Sequence, residues 1–158
     1  MKPTTIKVIF LTFALALINI TAFAQKSYTL DNKTNFSVLG TSTLHDWEMT
    51  SASKTGNANL TVTDSKVVDI NSITIDLAVE TIKSGKSGMD KIAYETLNVK
   101  KFKTIKYVLK SATKVNETTW NLTGTYTIAG VSKDLKTQIK VAVVNGVVNI
   151  QGSNKITF

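Results

Sequence analysis

Alternating apolar and polar residues run through most of the chain. The clearest case is Ser72–Glu80, where every second side chain is a large aliphatic one. A period of two with one apolar face predicts a strand that packs on a core with one face and meets water with the other. A short helix is predicted at Lys91–Asn98, before a strand resumes at Phe102. This arrangement predicts a barrel whose mouth is partly covered, which favours binding of a ligand over its chemical conversion.

The same alternation predicts seven long strands. Their bounds are Tyr28–Thr41, His45–Thr63, Val67–Ile82, Thr104–Val115, Thr118–Ala129, Lys133–Val144 and Val147–Phe158. A turn is predicted at Asp31–Lys33 within the first, and the polar run Thr50–Gly56 breaks the second. Asn145–Gly146 joins the last two and is a strong hairpin signal, because both residues tolerate positive φ. Long strands with short turns are typical of an antiparallel up-and-down barrel. We therefore predict an all-β, antiparallel, lipocalin-like barrel with a short helix between the third and fourth strands.

The apolar faces of these strands define the candidate ligand-binding residues of the barrel interior. They are Phe36, Val38, Trp47, Ile73, Ile75, Leu77, Ile105, Tyr107, Leu109, Trp120, Leu122, Tyr126 and Ile128. An eight-stranded barrel either fills its interior with side chains or holds one small ligand there. The patterning leaves both possibilities open.

The first 24 residues have the pattern of an export signal. Two lysines precede the apolar run Val8–Ile20, and Ala22 and Ala24 are the small residues of a cleavage site. The alternative is an uncleaved membrane anchor, for which the run is short. We expect cleavage after Ala24, so that a single domain, residues 25–158, is released to the periplasm or secreted.

Charge and cysteine content narrow the possible partners. All 19 basic residues are lysines, and the net charge of +8 falls to +6 without the first 24 residues. Base readout and bidentate phosphate binding favour arginine, so we expect no nucleic-acid partner and at most peripheral contact with anionic membranes. The chain has no cysteine, and a secreted domain without disulfides depends on its core for stability.

Candidate chemistry is sparse. His45 is the only histidine, which argues against Cys–His catalysis and multi-histidine metal sites. We therefore expect no enzyme activity, no cofactor and no metal. His45 and Trp47 are interpreted either as a strand entry or as a contact for a ligand head group. Lys83 precedes the segment Ser84–Gly88 and Lys86 lies within it. The segment is interpreted either as a lid hinge or as a contact, through its lysines, with a pyrophosphate or carboxylate.

Several segments, in order, resemble the YceI-like lipid- or polyisoprenoid-binding family. They are Tyr28–Asp31 with Thr34–Val38, Ser72–Ile73 with Ser84–Gly85, Met89–Asp90 and Leu97, Phe102–Tyr107, and Gly124–Lys133. The resemblance implies an eight-stranded barrel of lipocalin type, exported to the periplasm, with an isoprenoid or other lipid tail inside.

Two departures from the family's pattern affect the expected barrel. Lys103 and Thr104 stand where family members often have a proline, so the entry of that strand is less fixed. The sequence ends at Ile156–Phe158, where the family usually has a further closing strand, so this form looks truncated. We expect a gap between the last and first strands, with unpaired edges that promote aggregation.

Together these inferences predict an exported, non-enzymatic binding protein. Its ligand would be a polyisoprenoid or similar lipid in the barrel interior. The alternative is a solid-cored barrel that acts as a stress-related or envelope protein-interaction module.

Overall fold

The computed structural model describes residues 25–41, 43, 45–51 and 54–156. The predicted signal, residues 1–24, lies outside this part of the chain. The strands are β1 (Gln25–Thr29), β2 (Phe36–Gly40), β3 (Trp47–Ser51), β4 (Lys54–Thr63), β5 (Lys66–Ala78), β6 (Ile82–Lys83), β7 (Thr104–Lys114), β8 (Thr119–Ile128), β9 (Val131–Val144) and β10 (Val147–Gly152). The α-helix α1 spans Ser87–Thr96, and a 3₁₀ turn spans Val79–Thr81.

The strands form two antiparallel sheets. Seven of them follow the order β1-β4-β5-β7-β8-β9-β10 and curl into a half-barrel, and the other three follow the order β2-β3-β6. The predicted all-β class, the seven-stranded sheet and the short helix between its third and fourth strands are confirmed. No helix in the described part of the chain is long and apolar enough to cross a bilayer.

Three two-residue turns connect neighbouring strands of the half-barrel. Asp64–Ser65, Ala129–Gly130 and Asn145–Gly146 all have positive φ at both residues. This is the conformation of type I′ turns, whose twist matches that of the flanking strands. The predicted hairpin at Asn145–Gly146 is therefore confirmed.

Bulges in β5 help to curl the sheet. The pairing with β4 shifts register twice, and each shift leaves one β5 residue, Asn71 and then Val68, without a partner. Bulges bend a strand and increase its twist. As a result Val67, Ile70 and Ile73 all reach the core although they are three residues apart. The curled sheet brings β5 into contact with β9, although two strands lie between them.

The main core lies on the concave face of the half-barrel. Its buried members are Leu60, Val67, Ile70, Ile73, Tyr107, Trp120, Leu122, Ile139 and Val141. Polar contacts join two turns beside this cluster. Lys66 forms an ion pair with Glu117 at 2.9 Å, and Lys114 donates to the carbonyl of Val67 at 3.4 Å. We call the end of the half-barrel at which these two turns lie the closed end.

The first two predicted strands are each divided, and the third ends early. Tyr28–Thr41 is divided into β1 and β2 because the carboxylate of Asp31 accepts hydrogen bonds from the Lys33 and Thr34 amides and folds the chain into a turn, which confirms the predicted turn at Asp31–Lys33. His45–Thr63 is divided into β3, which ends at Ser51, and β4, which begins at Lys54. Val67–Ile82 ends in the 3₁₀ turn, where the Thr81 hydroxyl donates to the Ala78 carbonyl at 2.7 Å.

The two outer strands of the half-barrel, β1 and β10, do not pair with each other in the described residues. The predicted gap between the last and first strands is therefore present there. Thr157 and Phe158, which the last strand was expected to include, lie outside the described residues.

Candidate ligand-binding site

The concave face of the half-barrel changes character along its length. At the closed end Leu60 and Trp120 are 1% and 2% exposed. At the opposite end Leu77 pairs with Ile105, and these two residues and Ile128 are only partly buried. The amide of Val79 donates to the carbonyl of Lys103 at 2.9 Å, so the insertion that contains α1 leaves and rejoins the sheet here. We call this the open end.

The predicted interior residues divide according to this gradient. Ile73, Tyr107, Trp120 and Leu122 are buried members of the core, and Ile75, Leu109 and Tyr126 are partly buried and packed against it. Leu77, Ile105 and Ile128, at the open end, are partly buried outside that cluster. The other three predicted interior residues lie on the small sheet and not on the half-barrel, because the chain leaves the large sheet after β1. Of these, Phe36 and Trp47 are partly buried, and Val38, on the edge strand β2, is 51% exposed.

Aromatic rings lie where the core meets the open end. Ile75, Tyr107 and Tyr126 lie side by side on β5, β7 and β8. The two tyrosine ring centroids are 4.8 Å apart. The Tyr107 ring covers Gly124 so closely that a Cβ there would overlap it. A glycine on β8 thus makes room for a ring on β7, and strand alternation did not predict that contact.

Two donors in the core have no hydrogen-bond partner among the described residues. They are the Tyr107 hydroxyl and the Trp120 indole N–H. Burial raises the pKa of Tyr107 to about 12. An unpaired buried polar group is costly, so these two atoms are positions where an acceptor from a bound molecule would be favourable.

The predicted head-group residues are brought together in one place. His45, Lys83 and Lys86 line an open groove of about 480 Å³ beside β3. Trp47 also lines the groove, and its ring packs over Gly40. The remaining lining residues are Asp46, Glu48, Thr50, Ser84, Gly85 and Met89. Two acidic side chains therefore accompany the lysines, and the groove is not uniformly basic.

Tyr94 on α1 positions Lys83, a role that the sequence did not indicate. The Tyr94 hydroxyl donates to the carbonyls of Glu80 at 2.9 Å and Ile82 at 2.8 Å. Its ring centroid lies 5.0 Å from the Lys83 ammonium. The hydrogen bond with Tyr94 is the main reason that the pKa of Lys83 is raised.

Asp90 fixes the start of the helix. Its carboxylate accepts hydrogen bonds from the Ser84 hydroxyl and amide, both at 2.7 Å. The hydroxyl bond and then the amide bond lower the pKa of Asp90. The segment Ser84–Gly88, interpreted from sequence as a possible hinge, is thus held by Asp90, and its last two residues belong to α1. The helix begins four residues before the predicted Lys91.

The predicted histidine site has no cluster of catalytic or metal-binding groups around it in the described residues. His45 and Asp46 are both exposed and precede β3. No cluster of three or more histidine, cysteine, aspartate or glutamate side chains that would suit a metal ion occurs in the described ranges. The features present at the site are an apolar surface, two buried donors and a polar groove.

Comparison with known proteins identifies the family. The model of the YceI-like domain matches residues 28–158. The chain belongs to the YceI-like family. Among solved structures, BcnA from Burkholderia cenocepacia is similar to this YceI-like chain with a TM-score of 0.64 and 14% identity, over 80% of this chain and 74% of BcnA. At this identity the likeness shows the fold alone.

A second solved structure is more distant. The YCEI protein from Campylobacter jejuni has a TM-score of 0.47 and 16% identity to this YceI-like chain, over 73% of this chain and 54% of that one. No curated protein matches the chain.

Proposed function

We propose that this YceI-like protein is an exported, non-enzymatic binding protein that holds a long apolar ligand, a polyisoprenoid or a similar lipid, against the concave face of the half-barrel. The observation that carries the proposal is the continuous apolar surface from the buried core to the partly buried open end. Ile75 and Tyr107 at the core margin adjoin Leu77 and Ile105 beyond it. A ligand chain laid along this surface would cover side chains that the protein itself leaves partly exposed.

The energetics favour a long ligand. Each buried CH₂ contributes roughly 0.8 kcal/mol, so a chain of about twenty carbons offsets several kcal/mol of lost motional freedom. The Tyr107 hydroxyl and Trp120 N–H would gain a partner from a ligand oxygen near the core. A polar head group would lie in the groove of His45, Lys83 and Lys86.

One observation favours the second candidate, a solid-cored module for protein interaction. The closed end is already filled by side chains, including Leu60 and Trp120. On this alternative the open edges β1 and β10 would recruit a protein strand. The two candidates differ in whether any lipid occupies the concave face.

Mass spectrometry of the full chain, purified from an exporting bacterial host, separates the two candidates. We expect a lipid in native spectra and in organic extracts. Ile105→Asp should abolish its retention, because a carboxylate would face the apolar ligand. Val108→Asp is the matched control, since Val108 is exposed on the same strand, and it should retain the lipid. Protein without lipid that also binds no lipophilic probe would contradict the proposal.

Export has its own test. The mature protein from the same preparation should begin at Gln25, because Ala22 and Ala24 are suited to signal cleavage. An N-terminus at Met1 in the exported fraction would show that the signal is not removed.

A further inference from the structure

Positive charge is concentrated in the segment that joins β6 to β7. Residues 83–103, here called the lysine segment, contain six lysines and two acidic residues, a net charge of +4. All other residues from 25 onward contain eleven lysines and nine acidic residues, a net charge of +2. One short stretch therefore carries +4 of the net charge of +6 of the domain.

Among the described residues, three of the eleven lysines outside the lysine segment form ion pairs, against one of the six within it. On the half-barrel, Lys106 and Lys110 lie 3.5 Å and 2.6 Å from the carboxylates of Asp76 and Asp134. Within the lysine segment the one ion pair among the described residues joins Lys91 and Glu95 at 4.0 Å. Asp90 is bonded to Ser84 instead.

The helix of this segment combines basic and apolar exposure. Ile92 on α1 is 65% exposed and adjoins Lys91. A depression of about 530 Å³ beside α1 is lined by Lys83, Lys91 and Lys100. Tyr94 and Val99 supply apolar surface in the same depression, which also contains Asp90 and Glu95. Asp46 and Glu48 line the other groove and not this depression.

We propose that the lysine segment docks on the surface of an anionic lipid bilayer. Lysines near such a surface each gain attraction from its negative potential, and an exposed aliphatic side chain among them can enter the headgroup region. The lysines around the depression are placed to meet lipid phosphates. The lysine segment adjoins the open end, so docking would bring Leu77 and Ile105 close to the membrane from which a lipid would enter or leave.

Vesicle flotation with the full chain tests the proposal. We expect binding to phosphatidylcholine vesicles that contain about one third phosphatidylglycerol, weaker binding as salt screens the charges, and little binding to pure phosphatidylcholine. Lys91→Glu with Lys100→Glu should weaken binding by at least about tenfold, because each lysine near an anionic surface contributes about fivefold. Ile92→Ser should weaken it less, by about threefold.

The matched control changes the same number of charges elsewhere. Lys136 and Lys140 are exposed on β9. The double variant Lys136→Glu with Lys140→Glu should leave vesicle binding within about twofold of wild type. Equal losses in both double variants, or no binding to anionic vesicles, would overturn the proposal. Tighter binding to dextran sulfate, with no effect of Ile92→Ser, would also overturn it in favour of a soluble anionic polymer.

Docking is separable from ligand binding in the interior. The Ile105→Asp variant, which is expected to lose the lipid, should still bind anionic vesicles, because its substitution leaves the lysine segment unchanged. Each proposal can therefore fail without deciding the other.

Discussion

The two ends of the half-barrel are built from the same strands but are packed differently. At the closed end, bulges in β5 and contact with β9 bury Leu60, Ile70 and Trp120. At the open end Leu77 and Ile105 have the same alternation but remain partly buried. Alternation thus determines which face a side chain occupies, whereas the curl of the sheet determines how deeply it is buried. We expect the closed end to provide stability and the open end to provide binding.

The strongest test of this division is Trp120→Ala. Removing a buried aromatic side chain should lower the free energy of unfolding by about 3–5 kcal/mol, because Trp120 is almost fully enclosed. Chemical denaturation measures the change. An effect below about 1 kcal/mol would mean that the closed end is not the stabilising core.

A pair of identical substitutions compares the two ends directly. Leu60→Ala should cost about 2–5 kcal/mol, whereas Leu77→Ala should cost about 1 kcal/mol because less of its area leaves water on folding. The order should reverse for retention of a lipid, which Leu77→Ala reduces more. Equal unfolding free energies for both variants would remove the distinction between the ends.

A glycine pair probes the ring contact at the core margin. Gly124→Ala places a Cβ against the Tyr107 ring, and we expect this overpacking to cost about 1–3 kcal/mol. Gly88→Ala is the control on α1, where nothing lies near the added Cβ. It should be neutral or stabilise by up to about 1 kcal/mol. Thermal denaturation measures both changes. A lower melting temperature for Gly88→Ala would contradict a helical conformation at this position.

The smallest of these four effects concerns the unpaired hydroxyl. Tyr107→Phe removes a buried donor without a partner, so the ligand-free protein should be unchanged or about 1 kcal/mol more stable. Lipid retention should fall if the hydroxyl bonds to the ligand. Loss of stability in the ligand-free protein would show that the hydroxyl has a partner.

The pH dependence of the same residue follows from linkage. Its folded pKa is raised from 10.0 to about 12, so the native state binds this proton more tightly than the unfolded chain does. The contribution of Tyr107 to stability is therefore full below about pH 10 and is lost as the pH rises toward 12. The Phe variant should lack this part of the alkaline destabilisation.

Local pattern was sufficient for most of the sheet. Alternation predicted the first residue of each of the strands β7 to β10 to within a few positions. The residues Asn145–Gly146 predicted the hairpin that joins the last two strands. The turn at Asp31–Lys33 was predicted, because its short polar residues favour a turn. The early end of β5 was missed, because the apolar alternation continues to Val79, the first residue of the 3₁₀ turn. The helix start was missed because Lys86 at its N-cap makes no side-chain capping bond.

The site was less accessible to prediction than the fold. His45, Lys83 and Lys86 were proposed together and do line one groove. Tyr94 and Asp90 were not proposed, because their roles depend on hydrogen bonds to Ile82 and Ser84 that only the folded chain brings into range. The bulges that set the depth of burial likewise leave no regular signal in the sequence.

The short turns between the last strands have a kinetic consequence. Within the group β7 to β10, each strand pairs with the strand that follows it in the sequence. Two of the three connections in this group are two-residue turns. Loop-closure entropy is small for such contacts, so we expect this meander to form in the folding transition state, with β1 joining later. Mutational φ-values should be high at Leu122 and Ile139 and low at Tyr28, and the reverse order would refute this sequence of events. The part of the protein that folds first would then present Trp120 and Leu122 as an apolar surface, and Leu60 and Ile70 would complete the core when β4 and β5 pack against it.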